Sequence, residues 1–154
     1  MDTHILPFLK VAAVDSEDLN ILSAHLQDAI IPLHSMHYNE DTGTFSGLCN
    51  RFCWEHDDHY FEGKQLFHRV HSGLTFHGVS EVHHRGFDPH GDERTLNLLT
   101  VKTQAGHNGT THIHLVFSGQ SEIRLSVNSI KCLLGDLHHP WPTEKKPSHK
   151  ASED

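Results

Sequence analysis

Between Asp18 and Pro32 the apolar residues Leu19, Leu22, Leu26, Ala29 and Ile30 recur at helical intervals, and Asp15-Ser16-Glu17-Asp18 ahead of them offers an N-cap followed by first-turn acids. This predicts one amphipathic helix over about residues 16–30, stopped by Pro32. Beyond it the period changes to two. Leu33 to Tyr38 alternates loosely, Asn39-Glu40-Asp41-Thr42-Gly43 is a turn cluster, and Thr44 to Glu55 reads as the returning strand of a hairpin. Its parity is inconsistent, with Phe45, Gly47 and Cys49 on one face and Leu48, Phe52 and Trp54 on the other. A bulge, or burial on both faces, would reconcile them.

Residues 56–64 read as a polar loop, followed by strands over 66–76 and 79–85 and a second loop over 86–92. Residues 96–103, 111–118 and 122–127 then form a meander joined by Gly106-His107-Asn108-Gly109 and Ser118-Gly119-Gln120. Ile113, Leu115 and Phe117, with Ile123, Leu125 and Val127, give it a buried face. Ile130, Leu133, Leu134 and Leu137 have the spacing of a short closing helix. The expected fold class is therefore α+β: an antiparallel sheet or half-open barrel of about seven strands between an N-terminal and a short C-terminal helix, with a pleckstrin-like barrel as one candidate. Residues 1–137 make a single globular domain. Residues 138–154, with Pro140, Pro142 and Pro147 among Lys, Ser, Glu and Asp, are expected to be a mobile tail, though Trp141 is a residue that would pack the tail back or touch a partner.

Composition narrows the function classes. Twelve bases against twenty acids give −8 with neutral histidine, and protonating all eighteen histidines would carry the count to +10. An acidic chain repels the polyanions of nucleic acids and anionic membranes, so neither is an expected partner. Three cysteines leave an odd thiol, and the apolar stretch of residues 1–14 is cut by Pro7 and Lys10 and lacks a basic leader, which together point to the cytoplasm. No run approaches transmembrane length. The sequence carries no Gly-x-Ser-x-Gly elbow, phosphate loop, dinucleotide fingerprint, His-Glu-x-x-His or Cys-x-x-Cys.

Two constellations could carry chemistry. His112 and His114 alternate on one strand face at about 6–7 Å, a spacing that can chelate a transition metal. Gly106, six residues ahead, begins a cupin-like phrase, but the glutamate that phrase needs is replaced by Ser118 and Gly119, so that family is rejected. The plain alternative, and the preferred one, places both imidazoles on the solvent face opposite Ile113, Leu115 and Phe117. The other pairs, His34 with His37 and His68 with His71, are poor chelates on strands; His56-Asp57-Asp58-His59 reads as a solvated loop. His83-His84 and His138-His139 are expected to bind zinc or nickel only adventitiously. Cys49 and Cys53 read as buried thiols. No cofactor is expected. The second constellation is Arg51, Trp54, Arg69 and Arg124, candidate ligand-binding residues whose guanidinium groups on one sheet could clamp an anion or an acidic partner. Cross-strand pairing with Glu55, Glu81 or Glu122 is the plainer reading.

Several phrases, residues 18–28, Asn50-Arg51-Phe52-Cys53-Trp54-Glu55, Ile123-Arg124-Leu125 and Leu134-Gly135-Asp136-Leu137, together with the order of elements, resemble the uncharacterised domain-of-unknown-function family 2948, found mainly in alphaproteobacteria. The resemblance implies a cytoplasmic bacterial protein of this size and carries no activity, cofactor or catalytic residue with it. Aliphatic or basic residues are usual in that family where this chain has His112 and His114. The function expected is a non-enzymatic binding or interaction module whose partner is another protein; a metal-binding protein or metal-dependent enzyme using His112 and His114 is the alternative.

Overall fold

The computed structural model describes residues 6, 8–56, 60–88 and 94–147. The chain runs β1 (Lys10–Ala13), α1 (Ser16–Leu26), β2 (Ile30–Pro32), β3 (His37–Asn39), β4 (Thr44–Phe52), β5 (Tyr60–Phe61), β6 (Lys64–Gln65), β7 (Phe67–Phe76), β8 (Val79–Arg85), β9 (Thr95–Ala105), β10 (Thr111–Phe117), β11 (Ser121–Val127), β12 (Cys132–Asp136) and β13 (Trp141–Thr143). Eleven strands form one antiparallel sheet in the order β1-β12-β7-β4-β2-β9-β10-β11-β8, with β13 beside β7 and β3 beside β4, while β5 and β6 make a separate hairpin. The fold is mostly β with one α-helix among the described residues, so the expected α+β class with about seven strands is corrected.

The closing helix is the clearest miss. Residues 132–136 form β12, wedged between β1 and β7. Leu133, Leu134 and Leu137 satisfy a helical period, but Cys132 and Leu134 also alternate into the core while Leu133 stays 40% exposed. Gly135 costs about 1 kcal/mol within a helix, and β1 and β7 each present an edge that only an extended segment can pair. Without that helix the pleckstrin-like comparison lapses.

Asp15 caps α1 through Oδ1, which accepts from the Asp18 amide at 2.8 Å. The helix stops at Leu26 rather than near residue 30. Asp28 takes a positive φ of 64°, and its amide donates to Leu98 O while Leu98 N donates to Ala29 O, so pairing toward β9 overrides the helical pattern. Leu19, Leu22 and Leu26 then pack on the sheet.

The sheet bends so that its two halves share one core. β9 pairs with β2 through Thr95–Asn97 and with β10 through Leu98–Ala105. A bulge at Leu99 resets its phase, putting Leu98 and Val101 inside and Lys102 outside. Core residues of the meander, such as Ile113 and Leu125, belong to the same cluster as Phe45, Leu74 and Phe76 from the other half. The ambiguous parity of β4 resolves as burial on both faces: its register with β7 runs unbroken from Phe45 to Phe52, with Cys49 buried inside and Phe52 buried outside against Trp54 and Phe67.

At one end of the core lies a fully buried arginine. Arg51 Nη2 reaches Glu55 Oε2 at 2.8 Å and Asp136 Oδ1 at 3.0 Å, and Ser72 Oγ donates to Asp136 Oδ1 at 2.7 Å. The Asp136 carboxylate also accepts from the Leu9 amide at 2.8 Å. Burial by itself would raise the Glu55 carboxyl, yet hydrogen bonds from His25 and Arg51 hold it far below the usual range. His25 Nδ1 stands 3.5 Å away, too far for a strong bond, so Arg51 is the main cause.

Beyond β12 the chain bulges outward and returns as β13, in register with Phe67, His68 and Arg69 of β7. His138 meets His71 at 3.0 Å and stacks on Trp141. Thus the segment expected to be a tail carries a strand, and Trp141 packs it back; residues 148–154 lie outside the described residues.

Two outcomes test this arrangement. Removing Asp136 leaves a buried guanidinium half-paired, so Asp136→Ala is expected to cost about 3–5 kcal/mol in urea unfolding; a loss below about 1 kcal/mol would be the contrary result. Glu55 titrates lower in the folded than in the unfolded chain, so its contribution is present above about pH 4.3 and disappears as pH falls further. The stability gap between wild type and Glu55→Gln should therefore be open at pH 7 and close on acidification below about pH 4.

Candidate functional site

The meander and β8 build an open depression of about 610 Å³ on the outer face of the β9-β10-β11-β8 half. Alternation fixes which side chains reach it. With Ile113, Leu115, Ile123 and Leu125 turned into the core, His114, Glu122 and Arg124 must point outward. The turns hold the strands in that phase: Asn108 and Gly109 both have positive φ (57° and 78°) beneath a Thr110 N to His107 O bond, a type I′ hairpin turn. Gly86 ends β8 at φ 87°, where a Cβ would lie 2.6 Å from Gln120 O, so only glycine lets β8 pass this close to the β10–β11 turn.

The registers place four basic side chains in one line across the four strands. Lys102 stands opposite His114, His114 opposite Arg124, and Arg124 opposite His83. At about 4.8 Å between strands the row spans about 14 Å. On one side runs Gln104, His112, Ser126 and Glu81; on the other Thr100, Val116, Glu122 and Arg85.

Within this grid the charges are unevenly matched. Glu122 is shared by His114 Nδ1 and by Arg85 Nη2, the latter at 2.6 Å. The hydrogen bond from His114 is the chief reason its carboxyl is lowered, and Arg85 adds to it. His114 Nε2 faces Gln104 Oε1 at 3.1 Å, and His83 Nε2 meets Glu81 at 2.8 Å. By contrast, no described carboxylate pairs with Lys102 or Arg124, and the Arg124 Nε, shielded from solvent, has no hydrogen-bond acceptor among the described residues. Three permanent cations, Arg85, Lys102 and Arg124, thus line the depression against the single carboxylate Glu122, on a chain whose net charge is −8.

The four residues considered together on sequence grounds are not gathered in one place. Arg51 is enclosed in the ion network of the other half. Trp54 tops Phe52 at 4.5 Å and donates its indole N–H to Gln27 O at 2.9 Å. Arg69 donates to Asn50 O and Oδ1 at 3.2 and 3.0 Å. Arg124 alone belongs to the depression. The cross-strand pairing weighed for the arginines is realised by Arg85 with Glu122, while Arg51 finds Glu55 four residues along.

His112 and His114 do share the outer face, with ring centroids 6.5 Å apart. Both imidazoles are already engaged: His112 Nδ1 with Ser126 Oγ at 3.2 Å, His114 with Glu122 and Gln104. The His112 Nε2 would sit 2.8 Å from a Cβ on Gly106, so that glycine makes room for the ring rather than for a ligand. Among the described residues no group of three or more histidine, cysteine, aspartate or glutamate side chains comes together as a metal centre would require. His71 and His138 meet each other and Trp141. Of the loop His56-Asp57-Asp58-His59, the last three residues lie outside the described residues, as does His90. Burial pushes the thiols of Cys49, Cys53 and Cys132 up to about 12, which leaves them unreactive at neutral pH.

Sequence reasoning missed Lys102, His83 and Glu122 as site members. The signal was present in the outward phases of three successive strands joined by short turns, but register is needed to turn phases into neighbours.

The molecule is therefore a mostly β, antiparallel domain with a cationic row on one outer face. Residues 9–149 match the family described as "Protein of unknown function (DUF2948)", and the chain belongs to that family. No curated protein and no solved structure matches it. No helix among the described residues is long and apolar enough to cross a membrane.

The shared carboxylate offers a direct check. In a carbon-13 titration, Glu122 should titrate below the ordinary glutamate value of about 4.3, and His114→Ala should move it back up. An unchanged midpoint in the variant would show that His114 does not hold Glu122.

Proposed function

We propose that this protein is a non-enzymatic binding module that holds an acidic segment of a partner protein on the outer face of β8 to β11. The observation that carries the reading is a pair of cations with no carboxylate partner among the described residues, Lys102 and Arg124, set one on each side of His114. Their backbones stand about 10 Å apart on a rigid sheet with His114 between them, so a carboxylate laid over His114 would gain charge-assisted hydrogen bonds from a guanidinium and an ammonium at little ordering cost. A protein segment fits better than a nucleic acid, because the remainder of this chain is strongly acidic and repels a continuous polyanion. The three cysteines are free and buried, in keeping with a cytoplasmic setting.

A metal held by His112 and His114 is the weaker reading, since coordination would have to displace the Ser126, Glu122 and Gln104 contacts that now occupy these rings. Zinc or nickel taken up by the scattered histidines would be adventitious.

Titration with fluorescent poly-glutamate should show salt-dependent binding, weakened about tenfold by Arg124→Ala and further by adding Lys102→Ala. Affinity unmoved by both substitutions would refute the site, and tighter binding of a single-stranded oligonucleotide at the same salt would refute the partner class.

A further inference from the structure

The cationic row does not end on a closed surface. It ends on β8, the terminal strand of the sheet order, whose only strand partner among the described residues is β11. The sheet's other terminal strand, β1, has four residues and lies against α1, whereas β8 has seven and contains no proline. Long edge strands offer a row of free N–H and C=O groups to any extended chain that passes. On its open side the start of β8 is tied down, by Val79 N to Gly43 O and by Tyr38 Oη donating to Val79 O, each at 2.8 Å.

We propose that β8 takes up an extended segment of a partner protein as an added strand, with acidic and apolar residues alternating along it. This rests on the acidic-partner reading above and states how the partner lies. A strand added to β8 would continue the row Lys102, His114, Arg124 and His83 by one further position. Its outward residues would stand beside His83 and Arg85, about 5 Å away, with Arg124 one strand further in. Carboxylates suit those positions. Its inward residues would meet Val82, half-buried against the core, and the exposed His84, whose ring packs on Phe87 at 5.2 Å, and apolar side chains suit the aliphatic and ring surfaces there. Recognition of this kind draws affinity from main-chain hydrogen bonds and specificity from alternate side chains.

A second copy of this chain is the competing occupant. Pairing β8 with itself about His83 would match Glu81 with Arg85, yet it would set His83 against His83 at the position level with Arg124 and so bring no carboxylate toward that guanidinium. The cations of the row therefore favour the acidic segment.

The test uses the full chain and a fluorescent, end-capped ten-residue peptide alternating glutamate and valine, plus two versions N-methylated either at every glutamate or at every valine. In an added strand only one of these sets faces β8. One methylated peptide is expected to bind like the parent and the other to bind about tenfold or more weakly. Equal binding of all three peptides, still dependent on Lys102 and Arg124, would overturn strand addition while leaving the charge-based docking intact. Failure of both the parent peptide and poly-glutamate to bind would instead remove the docking reading itself. A dimer in sedimentation that is dispersed by Glu81→Arg and unaffected by peptide would assign the edge to a second copy and overturn the proposal.

Discussion

Arg51 ties together segments that are far apart in the chain: it leaves β4, meets Glu55 just beyond that strand, and crosses to Asp136 at the end of β12, with Ser72 of β7 between them. A guanidinium with no exposed surface is tolerable only when its donors are nearly all answered. That demand fixes more than one bond. It requires β12 to be a strand, because Asp136 must reach inward in register with Ser72. With Asp136 held there, its carboxylate also accepts the Leu9 amide, and Asp136 N donates to Leu9 O, which brings in the chain just before β1. One buried ion network thus fixes the register of the half of the sheet on which the other half is built.

That constraint accounts for the pattern of what the sequence disclosed. The helix cap at Asp15, the hairpin turn at Asn39 to Gly43 and the meander were legible because each depends on neighbours a few residues away. The end of α1, the strand at Cys132 to Asp136 and the return of Trp141 to β7 were not, since each is decided by a partner strand distant in sequence. For Leu133 and Leu134 the local pattern was compatible with both helix and strand, and the unmet hydrogen bonds of β1 and β7 chose between them.

The site follows the same division. Arg124 and His114 could be named from composition and alternation alone. Their relation to Lys102 and His83 could not, because a cross-strand row is a property of register, and a one-residue slip would send every one of these side chains to the other face. The grouping of Arg51 with Arg69 and Arg124 failed for a related reason: Arg51 is level with Val70 and Arg69 with Phe52, the next register position, so Arg51 points inward and Arg69 outward, and Arg124 belongs to the other half of the sheet.

The two arginine sites illustrate one physical rule with opposite outcomes. Arg51, enclosed, is matched by two carboxylates and a hydroxyl, so its charge is consumed in holding the fold. Arg124 lines a depression whose single carboxylate, Glu122, is already divided between His114 and Arg85. Glu122 therefore acts less as a partner for the row than as the anchor that keeps His114 and Arg85 in place, leaving Arg124 and Lys102 unmatched among the described residues. Lys102 and Arg124 lie two strands apart, on β9 and β11, with His114 between them. An anion laid over His114 would meet both charges at once, which is the physical ground for the binding reading proposed for this face rather than for the histidines scattered elsewhere.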